Sequence, residues 1–338
     1  MPNQSQTHSL SQTLITGVYR TGSEYIAQLA SCHPEISVSM YSVNVLRFVY
    51  GRYDPVSDPA QCKRALADMA DRLQARYQRT LDCGLVMSAL EHMGQIDYGT
   101  FYDAVMCALH LTGSSRHWAE KNQLLWREIP QFLEMMPNGK AILVIRDPRS
   151  VLASFRKYTY AAPPAYLGAV FNCVDAMQCA LEYQRTLDPE KFLLVRYEDA
   201  ARAPQNVADK IWRFLKLSGG YEVTNPANWR DAYGKQWHAN SSFHSNDDAR
   251  PFDIESSINR WVSELSPAEL SLVEGVCAET MAALGYEPSL TSGPDWLSAI
   301  RLFIHDPQVT EYFKLWTLKG KGIEAFPTDP LNSKNWRE

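Results

Sequence analysis

The segment from Leu14 to Tyr25 constrains the fold of this chain more than any other stretch of its sequence. A β-branched strand runs into a short turn with a glycine, and apolar residues then recur at helical spacing. In this order the free N–H groups of the turn and the positive end of the helix dipole can bind a phosphate. Gly22 lets the backbone approach such a ligand closely, and Arg20 supplies a positive charge. The segment predicts an anion-binding turn, although many turns of this shape only connect a strand to a helix.

A second basic turn follows a buried strand further along the chain. Residues 141–145 form an unbroken apolar run, as expected of a parallel strand that is covered on both faces. Arg146 ends the run, Pro148 suits the first position of a helix, and Ser154 lies within that helix. Open α/β sheets bind their ligands at the carboxyl ends of the strands. Arg146 could simply pair with a carboxylate, but two basic turns in one chain favour a ligand with two separated anionic groups.

The residues of both turns resemble those of the sulfotransferases that use 3′-phosphoadenosine 5′-phosphosulfate (PAPS). In that family the 5′-phosphosulfate loop has the form Arg/Lys-Ser-Gly-Thr-Thr and is often followed by His-Pro. The 3′-phosphate loop is Arg-Asp/Asn-Pro with a Ser eight residues after the Arg. The matching segments, which span roughly residues 13 to 288, are Arg20 to Glu24, His33-Pro34, Arg146 to Pro148 with Ser154, Tyr197-Glu198-Asp199, Asn240 to Phe243, Arg260-Trp261 and Leu284 to Glu287.

The resemblance implies a reaction and a set of roles. These enzymes transfer a sulfuryl group in line from PAPS to an acceptor oxygen or nitrogen and release 3′-phosphoadenosine 5′-phosphate (PAP), and no metal is expected. Negative charge grows on the bridging oxygen as the group leaves, so Arg20 would stabilise it there. The implied cofactor-binding residues are Arg20, Thr21, Gly22, Ser23, Glu24 and Tyr25 at the 5′-phosphosulfate, Arg146 and Ser154 at the 3′-phosphate with Ser241, Ser242 and Arg250 on the same side, and Tyr197 at the adenine.

Two positions depart from the pattern of the family. Glu24 stands where the phosphosulfate loop has its second Thr, and a carboxylate that faces a phosphate repels it. Glu24 could turn away and interact with the helix N-terminus, where a negative charge is favourable, or it could serve the acceptor. Cytosolic members also carry Lys-Thr-His before the 3′-phosphate loop, whereas this chain has Lys121-Asn122-Gln123. The histidine that would act as general base is therefore missing.

Several residues are candidates for the missing base. Glu91 and His92 follow the apolar run 84–90, and either could accept a proton if its surroundings tune its pKa. His238 and His244 flank the Asn-Ser-Ser-Phe segment and could also reach an acceptor. Lys121 is better suited to orienting sulfate oxygens. The sequence thus predicts Arg20, Lys121, Glu91 and His92 as catalytic residues, although a Glu or His after such a run is more often only a solvated surface residue.

Composition limits the partners and the compartment. The chain has 338 residues and a formal net charge of −5, which disfavours nucleic acid and anionic membranes as partners. The resemblance implies a small-molecule acceptor. Its seven cysteines are scattered without a Cys-x2-Cys pair, so the sequence predicts no metal site and a reducing compartment. Residues 1–12 lack the features of a signal peptide, and no run of about 18 apolar residues occurs. We therefore expect a cytoplasmic location.

Strand and helix patterns alternate along the chain. This alternation predicts an α/β fold, with a P-loop-like parallel sheet flanked by helices, helical insertions and a C-terminal extension. The expected units are a flexible N-terminus at 1–12, a sulfotransferase domain at 13–290 and an extension at 291–338, which could be a lid, pack on the core or form an oligomer contact. The predicted strands are 13–17, 84–88, 141–145 and 192–196, and the predicted helices are 24–32, 60–80, 150–158, 166–187, 205–216, 294–304 and 307–318.

Three functions fit these observations to different degrees. The first is sulfuryl transfer to a hydroxyl or nitrogen of a small molecule. This acceptor would be a specialised metabolite, since bacterial sulfotransferases without a membrane anchor often tailor such compounds. The stretch from Met40 to Asn44 is similar to cyanobacterial members of this kind, among them enzymes that act on paralytic guanidinium toxins. The second is a noncatalytic nucleotide-binding protein, which Glu24 and the missing histidine would suit. The third, a P-loop-like kinase, is disfavoured because no Lys follows Gly22.

Overall fold

A computed structural model describes residues 11–40, 43–110, 115–158, 163–225, 228–230 and 254–324 of the chain. In this part of the chain, five parallel strands form one sheet in the order β2-β3-β1-β4-β5. The strands are β1 (Ser11–Gly17), β2 (Ile36–Met40), β3 (His117–Lys121), β4 (Lys140–Ile145) and β5 (Phe192–Arg196). The predicted α/β fold with a parallel sheet is confirmed.

Helices surround the sheet and make up the rest of the described fold. They are α1 (Ser23–Ser31), α2 (Val45–Phe48), α3 (Pro59–Tyr77), α4 (Cys83–Met93), α5 (Tyr98–His110), α6 (Ile129–Met135), α7 (Pro148–Tyr158), α8 (Gly168–Thr186), α9 (Tyr197–Arg202), α10 (Pro204–Phe214), α11 (Ile254–Asn259), α12 (Trp261–Glu264), α13 (Pro267–Ala283), α14 (Trp296–Arg301) and α15 (Pro307–Lys319). None of the described helices is long and apolar enough to cross a membrane.

Both faces of the sheet are covered by apolar layers. Successive side chains of a strand point to opposite faces, and Leu14 belongs to the larger layer, whereas Ile15 packs with Ile26 of α1 and Ile211 of α10. Every residue of β4 is buried. Because all strands are parallel, the ends of β1, β3 and β4 meet at one edge, which we call the carboxyl edge of the sheet. The two predicted anion-binding turns lie there.

The prediction of a strand at 84–88 is wrong, because these residues belong to α4. The side chain of Asp82 accepts the N–H of Leu85 and caps the helix N-terminus. Gly94 ends the helix in the left-handed conformation at φ 72°. A short apolar run fits a buried strand and a helix equally well, and here the two caps decide for the helix.

The strands β2 and β3 are absent from the predicted set. β3 has the sequence His-Trp-Ala-Glu-Lys, whose charged residues do not resemble a buried strand, yet its last four residues are buried. The five predicted helices before residue 220 are confirmed within a few residues of their bounds. Strands of five residues with polar side chains carry little local signal, and only pairing with neighbours defines them.

The described part of the C-terminal extension, up to residue 324, packs on the body of the protein. The ring of Trp296 in α14 lies so close to Gly275 of α13 that a Cβ there would come within 2.4 Å of it. Tyr312 of α15 contacts Phe171 of α8, with ring centroids 6.1 Å apart. The N–H of Ile323 then donates to the carbonyl of Phe171 at 3.1 Å. Of the three roles that the sequence leaves open, packing on the core is the one these contacts show.

Candidate active site at the carboxyl edge of the sheet

In the turn after β1, the backbone at Gly22 lies against the ring of Tyr197. Gly22 has φ 83°, and a Cβ at this position would lie 2.2 Å from the ring of Tyr197. Only glycine fits there, because both the conformation and the space exclude a side chain. Arg20 also adopts a positive φ of 67°, which is uncommon outside glycine. The hydroxyl of Thr21 donates to the carbonyl of Val18 at 2.8 Å and stabilises the turn.

The turn after β4 holds a buried arginine. The guanidinium of Arg146 donates from Nη1 to the carbonyl of Arg20 at 2.9 Å and from Nη2 to the carbonyl of Ser257 in α11. It also lies over the ring of Tyr197, with 4.3 Å between Cζ and the ring centroid. Burial lowers the pKa of Arg146, which the nearby Tyr197 and Glu198 partly offset. A buried guanidinium with an aromatic partner suits an anionic ligand that stacks beside it.

The two turns are in direct contact. The Nε–H of Arg20 donates to the hydroxyl of Ser154 at 3.1 Å, and Arg146 donates to the backbone of Arg20. Gly22 of the first turn touches Tyr197, over which Arg146 lies. The structure therefore brings together five of the residues predicted to bind the cofactor. Their contacts with a nucleotide remain a prediction.

Lys121 at the end of β3 belongs to the same cluster. It is fully buried, and in the sheet it is aligned with Ile15 of β1. Burial lowers the pKa of Lys121 to about 7, the carboxylate of Glu24 raises it, and the guanidinium of Arg20 lowers it. Lys121, Glu24 and Arg20 are thus close enough to affect one another. Such a perturbed lysine is typical of a site that binds or transfers a charged group.

Not every predicted site residue lies in this cluster. Glu91 and His92 are exposed in the last turn of α4, where Nδ1 of His92 is 2.6 Å from the carbonyl oxygen of Ser88. Within the described part of the chain, no contact joins Glu91 or His92 to Arg20, Lys121 or Arg146. Their role as general base stays a prediction that this placement does not favour. Five further predicted residues lie outside the described ranges, and they are His238, Ser241, Ser242, His244 and Arg250.

Comparison with known proteins identifies the family. A model of the sulfotransferase family matches residues 13–221, which is more than half of the 338 residues. The chain belongs to the sulfotransferase family. The family that the sequence motifs predicted is confirmed. A comparison of this sulfotransferase with curated proteins found no match.

A solved sulfotransferase domain has a similar fold. The sulfotransferase domain of the olefin synthase from Synechococcus PCC 7002 has a TM-score of 0.53 at 18% identity, and the alignment covers 84% of this chain and 98% of that domain. At this identity the likeness shows a shared fold. The sulfotransferase domain of the curacin biosynthetic pathway gives a TM-score of 0.48 at 19% identity, covering 82% of this chain and 98% of that one. A sulfotransferase from Mycobacterium avium gives 0.42 at 12% identity, with coverages of 84% and 78%.

Two buried carboxylates support the site of this sulfotransferase, and neither was predicted. Glu198 accepts the backbone N–H of Asp147 at 2.9 Å and the hydroxyl of Tyr286 at 3.0 Å, so it holds the turn after β4. Glu120 accepts the N–H groups of Val43 and Asn44, each at 2.7 Å. Burial raises the pKa of both carboxyls, and their hydrogen bonds oppose that rise. Glu198 is itself part of the Tyr-Glu-Asp motif and Glu120 precedes Lys121, but their roles could not be predicted because their partners are distant in sequence.

The described residues show little that could hold a metal ion. Over these ranges, no group of three or more His, Cys, Asp or Glu side chains converges on one point. All seven cysteines lie in the described part of the chain and are free thiols. The carboxyl edge instead carries the guanidinium groups of Arg20 and Arg146 and the amine of Lys121, with Glu24 close to Lys121. This arrangement can bind an extended anion and stabilise negative charge that develops within it.

Proposed function

We propose that this sulfotransferase moves a sulfuryl group from PAPS to a hydroxyl or nitrogen of a small-molecule acceptor. The observation that carries the proposal is the contact between the turns after β1 and β4, through Arg20, Ser154 and Arg146. A single nucleotide with a phosphosulfate at its 5′ end and a phosphate at its 3′ position would meet both turns. ATP has no 3′-phosphate and would leave the second turn without a ligand.

The chemistry divides among the clustered side chains. A new bond forms between sulfur and the acceptor atom, the bond from sulfur to the bridging oxygen breaks, and PAP leaves with the electron pair of that bond. Arg20 stabilises the charge that develops on the bridging oxygen, an interaction worth about 3–4 kcal/mol in comparable sites. Lys121 in its protonated form orients the oxygens of the sulfuryl group. An anion bound beside it favours the ammonium and raises its pKa above the value of about 7 in the free protein.

A base must take the proton of the acceptor when the acceptor is a hydroxyl. Of the candidates that lie in the described part of the chain, Glu24 lies at the start of α1 and interacts with Lys121, whereas Glu91 and His92 lie exposed on α4. We propose Glu24 for this role. A carboxylate is unfavourable in a loop that only binds phosphate. The need for a base at the acceptor would explain why Glu24 stands there.

The acceptor that we propose is a specialised metabolite. This part of the proposal rests on the sequence resemblance to bacterial enzymes that tailor natural products. The solved domain of similar fold from Synechococcus PCC 7002 is itself part of an olefin synthase. A screen of alcohols, phenols and amines as acceptors, read as PAP release from PAPS, would identify the acceptor class.

Calorimetric titration with PAP, ATP and AMP tests the proposal. PAP should bind at least about tenfold more tightly than AMP, because the 3′-phosphate adds charge-assisted hydrogen bonds. Conversion of PAPS to PAP by the protein then separates an enzyme from a noncatalytic nucleotide-binding protein. A preference for ATP over PAP would instead support a P-loop-like kinase, and equal affinity for PAP and AMP would refute the role of Arg146.

A further inference from the structure

The order of the strands fixes the side from which the acceptor approaches, if the proposed function holds. PAPS would run from Arg146 after β4 to Arg20 after β1, with its sulfuryl group at the β1 end. In-line transfer places the acceptor opposite the leaving phosphate. Beyond β1 the sheet continues with β3 and then β2, each about 4.8 Å further on. The acceptor would therefore lie over the ends of β3 and β2.

One backbone corner at this place is held by buried side chains. It consists of residues 43–44, which follow β2, and we call it the acceptor corner. Oε1 of Glu120 accepts the N–H groups of Val43 and Asn44 at 2.7 Å each, and the hydroxyl of Tyr102 donates to Oε2. Arg72 donates to the carbonyl of Val43 at 3.3 Å. Two consecutive peptide groups are thus fixed by three side chains from β3, α3 and α5.

Asn44 gives this corner a defined conformation and an unpartnered polar atom. It has φ 51°, in the left-handed region that asparagine adopts more readily than most residues, and it is the N-cap of α2. Its Oδ1 is buried and has no hydrogen-bond partner among the described residues. A buried polar atom without a protein partner costs free energy unless a bound molecule meets it. The buried Oδ1 without a partner suits a surface that faces a ligand.

Glu120 cannot act on the acceptor directly if it holds this corner. It precedes Lys121 in β3, so the two side chains leave the strand on opposite faces. Lys121 interacts with Glu24 and Arg20 at the turn after β1, while the carboxylate of Glu120 is fully buried against α5 and the acceptor corner. We propose that Glu120 is a positioning residue, which holds the acceptor corner so that it closes the acceptor side of the site next to Lys121.

The variants Glu120→Gln and Glu120→Leu distinguish a positioning role of Glu120 from a role of its negative charge. In the Gln variant, Oε1 can still accept both N–H groups, and the amide can donate to the oxygen of Tyr102. The Leu variant has a similar volume and no acceptor. If the role is positional, Glu120→Gln should behave like the wild type. A residue that acts through its negative charge would fail in both variants.

Hydrogen exchange measures the corner without any knowledge of the acceptor. In Glu120→Leu the amides of Val43 and Asn44 should exchange at least about tenfold faster, with β1 and β4 unchanged. PAP affinity should stay the same, because the donor side is intact. Hydrolysis of PAPS by water in the absence of an acceptor should rise about tenfold, since an open acceptor side admits water. Glu120→Gln should show none of these changes.

Several results would overturn the inference. One is exchange at residues 43–44 and PAPS hydrolysis that rise in Glu120→Gln as much as in Glu120→Leu. Another is a loss of PAP affinity in Glu120→Leu. If Glu120→Leu does not fold, Tyr102→Phe removes a single hydroxyl and should still speed exchange at residues 43–44. Unprotected exchange of the Val43 and Asn44 amides in the wild type would exclude the positional role. Failure of the wild type to bind PAP would refute the proposed function instead, and the exchange experiment would still decide whether Glu120 holds the corner.

Discussion

The Nε–H of Arg20 donates to the hydroxyl oxygen of Ser154 across 3.1 Å, although the two residues are 134 positions apart in the chain. Arg146 strengthens this connection by donating to the backbone carbonyl of Arg20 at 2.9 Å. Each contact exists because β1 and β4 are neighbours in the sheet. A cation that is held in place before the reaction needs no reorganisation when charge develops. The first three predictions concern this connected pair of turns.

Replacement of Arg20 should affect the chemical step. Arg20→Ala should lower the turnover of PAPS by a factor of about 10²–10³, because the charge at the bridging oxygen loses its stabilising cation. Formation of PAP, followed by chromatography, measures this. Arg20→Lys is the matched control, since it keeps the charge and loses the Nε–H at Ser154, and it should retain an intermediate rate. Equal turnover of Arg20→Ala and the wild type would remove Arg20 from the mechanism.

Replacement of Arg146 should affect binding of the 3′-phosphate. Arg146→Ala should weaken PAP binding by about 10- to 100-fold, as expected for the loss of charge-assisted hydrogen bonds. AMP binding should change much less, because AMP has no 3′-phosphate. Ser154→Ala serves as a comparison and should weaken PAP binding by a smaller factor, since a hydroxyl makes a neutral hydrogen bond. If AMP and PAP lost affinity equally, Arg146 would support only the fold.

Gly22 should tolerate no side chain. Gly22→Ala should destabilise the protein and abolish PAP binding, because the new Cβ would lie 2.2 Å from the ring of Tyr197. Gly51→Ala is a matched control, since Gly51 also has a positive φ, of 71°, but a Cβ at that position would meet no atom within 4 Å. Gly51→Ala should cost only about 1 kcal/mol of unfolding free energy, from backbone strain. Equal unfolding free energies of the two variants would show that the contact with Tyr197 is not limiting.

Binding of PAP should take up a proton through Lys121. Burial lowers the pKa of Lys121 to about 7, so most of this side chain is neutral at about pH 8 in the free protein. A bound anion favours the ammonium and raises the pKa, so binding takes up about one proton at that pH and almost none at about pH 6, where Lys121 already carries its proton. Titration calorimetry in buffers of different ionisation enthalpy measures the uptake. Lys121→Met should abolish it, and uptake that persists in this variant would assign the proton to another group.

Features that depend on a few consecutive residues could be predicted from the sequence. The turn at Arg20 to Gly22 and the turn at Arg146 are both such features, because each follows a strand whose apolar residues are visible and precedes a helix with a clear start. Residues 84–88 show the limit of this reasoning. Their apolar run suits two structures, and the caps Asp82 and Gly94 lie just outside it.

Features that depend on the order of the strands could not be predicted. The contact of Arg20 with Ser154 requires β4 to lie next to β1, and the hold of Glu120 on Val43 requires β3 to lie next to β2. The charged sequence of β3 gives no local sign of a buried strand. Its glutamate is buried only because two peptide groups and a tyrosine hydroxyl, distant in sequence, satisfy its oxygens.

The contacts of residues 320–324 mean that a segment distant in sequence supports the region that follows Lys121. Arg127, which follows β3 in the chain, donates to the carbonyl of Gly322 at 3.3 Å and forms an ion pair with Asp175 of α8. Its own backbone N–H donates to the carboxylate of Glu324 at 3.1 Å. Truncation at residue 290, the predicted domain boundary, would also remove these contacts with the loop that follows Lys121. Shortened forms of this sulfotransferase should therefore be judged by their activity as well as by their folding.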